Sequence, residues 1–191
     1  EIGVAPDSFS ATYEHLLKHD FSRKEILAAG LGVQRELQEE RIYDRFRNRL
    51  MFPIRDLQAR MIGFGGRTLG NDDAKYLNSA ETVLYKKSQV LFAMHLARET
   101  IRQRGQVIVV EGYFDALACH RVGMSQTVAS CGTALTEEHA RLLKRYAETV
   151  VLCLDQDRAG RDAAERAFLL LMKEGMNVQV VVLPDKDPAD T

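Results

Sequence analysis

From Gln106 onward the chain keeps a regular beat. Strand-like runs, VIVV (107–110), QTVAS (126–130), TVVLCL (149–154) and VQVVVL (178–183), alternate with segments of helical period at 112–122, 136–147 and 158–174. Short runs rich in β-branched side chains predict strands, and the longer amphipathic stretches predict helices. Strands alternating with helices of this length predict a parallel sheet with right-handed crossovers. The strands are apolar throughout, as a sheet covered on both faces requires. Thr136, opening TEEH, predicts a capped helix start, and Gly175 closes the last helix.

The first 105 residues have a different pattern. Residues 9–19, with Ser8 or Ser10 as cap, and 22–30, running from Ser22 to Gly30, predict short helices. Residues 50–54 and 60–66 predict two strands joined by the turn RDLQA, a hairpin. Pro53 places its strand at an edge or a bulge. A Gly/Asn/Asp loop follows at 69–74, then an amphipathic helix over 88–104 that stops at Gly105. The fold class read from this order is α/β: a mixed α+β subdomain over 1–105, then a parallel four-stranded, Rossmann-like subdomain over 106–191. No internal repeat or low-complexity tract interrupts it.

Composition narrows the function classes. At 191 residues and 46% hydrophobic content the chain can bury a real core. No apolar run reaches the ~18 residues of a membrane span, and EIGVAPDSFS lacks the basic start and apolar core of a signal peptide. The start at Glu1 and the stop at Thr191, just past a strand-like run, read as those of a piece of a longer protein. Cys119, Cys131 and Cys153 lie in apolar surroundings without C-x-x-C spacing, which predicts buried thiols in a reducing compartment. The five histidines have no metal-ligand spacing, so zinc is not expected here.

The net charge of −1 conceals an asymmetry. Residues 41–87 hold ten Lys/Arg against five Asp/Glu, whereas 111–191 hold nine against thirteen. A basic segment followed by an acidic one points to a polyanion on one side and metal ions on the other.

In an open parallel α/β sheet, ligands collect outside the carboxyl ends of the strands. The first of these strands exits into EGYFD, giving Glu111 and Asp115. The third exits into DQD, giving Asp155 and Asp157, and the fourth into LPDKDPAD, giving Asp185, Asp187 and Asp190. Helix capping explains one or two of these exits, and Asp157 could both cap and ligate. Capping does not explain a concentration of acids on one rim, where repulsion is costly without a cation. Carboxylate oxygens suit Mg²⁺ or Mn²⁺, and two such ions side by side stabilise the attacking and leaving oxygens of an in-line nucleotidyl displacement.

The motifs VVEGYFDALA, LDQDRAG and LPDKDPAD resemble the Toprim domain of primases, topoisomerases and some nucleases. Upstream, YDRFRNRLMFPIRDLQARMIGFGGR and KYLNSAETVLYKK, together with APDSF and GTALT, are similar to the catalytic core of bacterial replicative primases of the DnaG type. The resemblance spans nearly the whole chain. It departs at Gln156, where the family usually has a small residue, and at Ala59, where the hairpin usually has Gly. It implies an enzyme that copies single-stranded DNA into short RNA primers from ribonucleotides, leaving an RNA–DNA hybrid, in the bacterial cytoplasm. It also implies a zinc-binding domain and a helicase-binding domain elsewhere in such proteins. Matched residue by residue, Glu111, Asp155, Asp157 and Asp187 fall on the family's metal positions, with Glu111, Asp155 and Asp157 catalytic and Asp115 and Asp190 as outer members. Arg45, Arg49, Lys75, Tyr76, Asn78 and Lys86 fall on its basic ridge.

Independently of that resemblance, Arg45, Arg47 and Arg49 alternate as they would on one face of an extended stretch, and Arg67 follows the Gly-rich strand. Cations beside an aromatic, as in KYLNS, are how single strands are held without sequence readout. GFGG does not lead from a strand into a helix, so its glycines read as close backbone approach in a sheet rather than a phosphate cradle. The competing classes are another Toprim nuclease or a topoisomerase fragment, a non-catalytic single-strand-binding module, and a phosphoacceptor receiver. A receiver would carry its acidic pair after the first strand, the reverse of the order here.

Overall fold

The computed structural model describes residues 2–34, 41–72, 74–155 and 157–181. The chain divides into two compact units, one of residues 1–55 and 60–86, the other of residues 56–59 and 87–191.

In the first unit, β1 (Gly3–Ala5) is followed by α1 (Ala11–Lys18), α2 (Arg23–Ala28), β2 (Gly32–Gln34) and β3 (Ile42–Asp44). The hairpin of β4 (Arg49–Arg55) and β5 (Met61–Thr68) comes next, then β6 (Tyr76–Asn78). The sheet runs β1-β4-β5-β6 and is antiparallel throughout, while β2 and β3 form a separate pair. Pro53 lies in an inner strand, yet β1 pairs only with Arg49, Leu50 and Met51 and stops short of it, and the β4–β5 register shifts at Ile54/Arg55. The strand therefore tolerates a residue that cannot donate on both sides. Ala5, Phe46 and Met51 form a small core under this sheet, with Phe64 and Leu77 against it.

The helix starts are set by side chains near and far. Ser22 caps α2 reciprocally with Glu25, as its sequence predicts. At α1 the residue in the cap position is Ser10, but its hydroxyl donates to Glu14 instead of receiving a backbone N–H. The Ser8 Oγ takes the N–H groups of Ser10 and Ala11. The N–H groups of Thr12 and Tyr13 donate to the Asp44 carboxylate at 2.6 and 2.8 Å, from more than thirty residues away. Asp44 is 1% exposed, and its own N–H donates to the Phe9 carbonyl. One expectation fails here. Residues 45–48 form a bend with Asn48 at φ 47°, so Arg45, Arg47 and Arg49 do not share one face of an extended stretch. The short strands β1, β2, β3 and β6 carry too few residues to show a period.

The second unit holds α3 (Met94–Arg104), β7 (Gln106–Val110), α4 (Tyr113–Arg121), β8 (Thr127–Ala129), α5 (Glu137–Lys144), β9 (Thr149–Leu152), α6 (Arg158–Lys173) and β10 (Asn177–Val180). Its strands are all parallel in the order β10-β9-β7-β8. Val107, Val109, Val128, Val150 and Leu152 are fully buried between the helices. The helix expected over 88–104 begins only at Met94. A single 3₁₀ turn occupies Lys87–Gln89, Phe92 bridges Ala129 at the end of β8, and Ala93 turns through φ 64° before the helix starts. Pairing with the sheet overrides local periodicity there. Because Met94, Ala97 and Ile101 belong to this unit's core, α3 groups with it, and the division falls at Lys86/Lys87 instead of following the change of rhythm at 105/106. Thr136 caps α5 and Gly105 ends α3 in the left-handed region.

Candidate active site and nucleic-acid interface

Two adjacent parallel strands, β7 and β9, end at the same level, since Val109 faces Leu152 and the Cys153 N–H continues the ladder to the Val109 carbonyl. Glu111 is the first residue past β7 and Asp155 the third past β9. The Asp155 N–H donates to Glu111 Oε1 at 3.0 Å. Burial raises the Glu111 pKa above the ordinary carboxylate value, against the pull of that hydrogen bond, and the charges of Asp157 and Asp115 add to the rise. Like charge is thus concentrated on this carboxylate by two neighbours at once.

Each neighbour is fixed by a helix start. Asp157 is the N-cap of α6, its Oδ1 accepting from the Gly160 N–H at 2.7 Å. Asp115 is buried, with Oδ2 accepting from the Gly112 N–H at 2.8 Å at the start of α4. The capping alternative therefore holds for Asp157, and it does not hold for Asp155, which precedes the cap. Asp185, Asp187 and Asp190, like Gln156, lie outside the described residues.

Gly160 is a residue that the sequence reading missed. A Cβ on it would lie 2.2 Å from the Asp155 carbonyl oxygen and 3.0 Å from Glu111 Oε1. Its absent side chain lets the first turn of α6 close onto the Glu111–Asp155 pair. The signal was a glycine in the first turn of a helix, a position where glycine costs about 1 kcal/mol against alanine.

The donor set suits a hard divalent cation in chemistry, being carboxylate oxygens only. It suits one in charge, because a cation would offset the burial and the neighbouring charges that raise the Glu111 pKa. Among the described residues, no three Asp, Glu, His or Cys side chains are drawn together at ligand distances.

In the first unit the basic residues separate into three kinds. Arg67 and Tyr76 face each other across β5 and β6, and the Arg67 guanidinium and Lys75 ammonium each lie 6.0 Å from the Tyr76 ring. Tyr76 and Lys75 are exposed, so a ring flanked by two cations is offered to solvent. Arg45 grips the Asn78 carbonyl through Nε and Nη2 at 3.1 and 2.7 Å, tying the bend to the edge strand β6. Arg49 is turned inward: 6% exposed, it donates to the Gly66 and Ala74 carbonyls and pairs with Asp72 at 3.1 Å. Lys86 is exposed past β6.

Residues 1–98 match the family model of the DNA primase catalytic core, N-terminal domain, and residues 108–191 match a Toprim-like model. The chain belongs to the DNA primase catalytic core family. The DNA primase of Halalkalibacterium halodurans is 44% identical over 191 residues, all of this chain and 32% of that protein. This primase core thus spans about a third of the length of the curated relatives it matches. Among solved structures, a DNA primase domain from Pseudomonas aeruginosa superposes with a TM-score of 0.89 at 41% identity, over 99% of this chain and 60% of the other. A DnaG primase catalytic domain bound to single-stranded DNA superposes with a TM-score of 0.88 at 40% identity, over 99% and 60% respectively. The four-stranded parallel sheet is the Toprim domain of the primase core. No helix among the described residues is long and apolar enough to cross a membrane.

Proposed function

We propose that this chain is the catalytic core of a template-directed polymerase that makes short RNA primers on single-stranded DNA. One observation carries the reading: at the carboxyl ends of adjacent parallel strands Glu111 is held by the Asp155 N–H, while Asp157 caps α6 and buried Asp115 caps the start of α4. Glu111, Asp155 and Asp157 would hold Mg²⁺ or Mn²⁺, with Asp115, Asp187 and Asp190 as further acids. Bound there, the metal would supply stabilisation of the attacking and leaving oxygens of nucleotidyl transfer. Within the chain's own residues, Glu111 is oriented by the Asp155 N–H and Asp157 is anchored by α6.

The first unit takes the template and the nucleotide, through the cation-flanked Tyr76 and the exposed Lys75 and Lys86, with Arg45, Arg67 and Asn78 beside them. Phosphate charge and base stacking give grip without sequence readout. The binding of single-stranded DNA by a 40%-identical catalytic domain supports this side of the reading. The partners are single-stranded DNA, ribonucleoside triphosphates and the RNA–DNA hybrid product. A replicative helicase would be reached through a part of the protein outside this chain.

The test is extension on a single-stranded template with ribonucleotides and Mn²⁺ or Mg²⁺, comparing the parent chain with Glu111→Gln. RNA product from the parent alone is the expected result. Equal product from both would remove the acid cluster from the chemistry. Cleavage of the template in place of extension would move the chain to the nuclease class.

A further inference from the structure

The short helix α1 ends in two histidines. His15 lies in its last turn and His19 is its C-cap, and both are exposed. The sequence reading found no metal-ligand spacing among the histidines, yet a separation of four places two imidazoles on one helix face. The structure brings this pair together, with ring centroids 4.3 Å apart and the rings tilted by 39°. The His19 Nδ1 lies 2.9 Å from the His15 carbonyl oxygen. A carbonyl only accepts, so Nδ1 carries the proton and the lone pair of the neutral ring is on Nε2.

That bond has the form of the outer support of a metal-bound histidine. One ring nitrogen donates to a backbone carbonyl, which fixes the tautomer and the ring so that the other nitrogen can ligate. The helix dipole is a simpler account of a histidine at a helix C-terminus, and it favours the charged ring. It accounts for either histidine singly. It does not account for two rings in contact, because two imidazolium ions at this distance repel. A metal ion shared by two neutral rings makes the contact favourable. With metal–nitrogen bonds of about 2.0–2.1 Å, two nitrogens on one ion stand about 3 Å apart, a separation that rings in contact can supply.

We propose that His15 and His19 form a two-histidine site for a transition-metal ion of the Ni²⁺, Zn²⁺ or Cu²⁺ class, with water completing the coordination. Imidazole selects these ions over Mg²⁺ and Mn²⁺, which suit the carboxylates of the second unit. The two places therefore take different metals. Bound at the end of α1, the ion closes the last turn as Asp44 closes the first. It thereby stabilises a helix too short to persist by itself.

The test is calorimetric titration of the untagged parent chain, His15→Ala and His19→Ala with NiCl₂, and separately with MnCl₂, with melting temperatures read at each nickel concentration. His15→Ala spares the helix, since alanine is the better helix former at an exposed position. The site requires a single nickel ion bound by the parent and binding weaker by about ten-fold or more in each variant. It also requires a nickel-dependent rise in melting temperature that both variants lose. Glu111→Gln should bind that nickel as the parent does, and MnCl₂ should not distinguish the parent from the histidine variants. Nickel bound equally by the parent and both histidine variants overturns the site and places the ion on the acids or thiols of the second unit. A loss in one variant alone reduces the pair to a single-histidine contact and overturns it. No nickel binding by the parent overturns it outright.

Discussion

The Glu111 carboxylate accepts the backbone N–H of Asp155 at 3.0 Å, so a residue at the end of one strand is oriented by the main chain leaving its neighbour. Glutamine at 111 retains an oxygen for that bond and discards the charge. Burial and the nearby Asp157 and Asp115 raise the Glu111 pKa, so the ionised form is the costly one in the folded state. The sign follows. The penalty is absent while Glu111 is protonated, appears as pH rises above the unfolded carboxylate value, and is complete above the folded pKa. Glu111→Gln should therefore match or exceed the parent's melting temperature at neutral pH while abolishing primer synthesis. A fall in melting temperature with activity retained would make Glu111 a structural acid.

Gly160→Ala should reverse the ordinary helix preference. In an exposed helix interior the change stabilises by about 1 kcal/mol, but here the new Cβ meets the Asp155 carbonyl oxygen at 2.2 Å. The backbone must move, at a cost of about 1–3 kcal/mol, and Asp155 and Glu111 move with it. Denaturant titration should show the loss, and metal affinity measured by calorimetry should fall with it.

Arg49 and Lys75 should part company. Arg49 is committed to two carbonyls and Asp72 inside the first unit, so Arg49→Ala removes those bonds, that to the carbonyl of buried Gly66 among them, and should cost about 1–3 kcal/mol of stability. Lys75 is exposed beside Tyr76, so Lys75→Ala should leave stability unchanged and reduce the salt slope of single-strand binding by about one. A reduced slope in Arg49→Ala at parental stability would contradict the inward geometry.

Ala59 occupies the left-handed region at φ 64° in the turn between β4 and β5. A side chain there is strained by about 1–2 kcal/mol, so Ala59→Gly should raise stability despite the greater entropy of the unfolded glycine. Chemical denaturation gives the difference directly.

His139 is fully buried, with Nδ1 facing the Thr136 N–H and Nε2 the Val90 carbonyl, a pattern that suits the neutral ring donating from Nε2. Burial lowers its pKa from the usual 6.5, outweighing the raising effect of the backbone carbonyls. The unfolded chain therefore takes up the proton first as pH falls, and stability should decline below about pH 6.5 until the folded pKa is passed. His139→Gln should remove that part of the pH dependence, read from unfolding midpoints at neutral and mildly acid pH.

The second unit was legible because its physics is local. Apolar runs of four to six residues, rich in β-branched side chains and alternating with amphipathic helices, leave few other solutions, and the acids follow directly from strand exits. The first unit was less so, because its three-residue strands acquire their identity only from partners far along the chain. The start of α3 was misplaced for the same reason: the Phe92–Ala129 bridge is a tertiary contact. Arg49 carried no mark in the sequence to distinguish it from the solvent-facing Lys75, since only the fold decides which cation is enclosed. Gly160 was passed over, because the reason for a glycine there, the approach of Asp155, lies in the fold.

Asp44 makes two distant segments a single cooperative element. An eight-residue helix is too short to persist alone in water, and the N–H groups of Thr12 and Tyr13 in α1 find their acceptors only when β3 delivers a carboxylate to them. The helix can thus close its first turn only after a long loop has been crossed, and loss of β3 returns those amides to solvent together. Amides of 11–18 and 42–44 should exchange with deuterium as one opening unit, and the Phe9 ring that hangs from the same carboxylate-bearing residue should lose its fixed position in the same event.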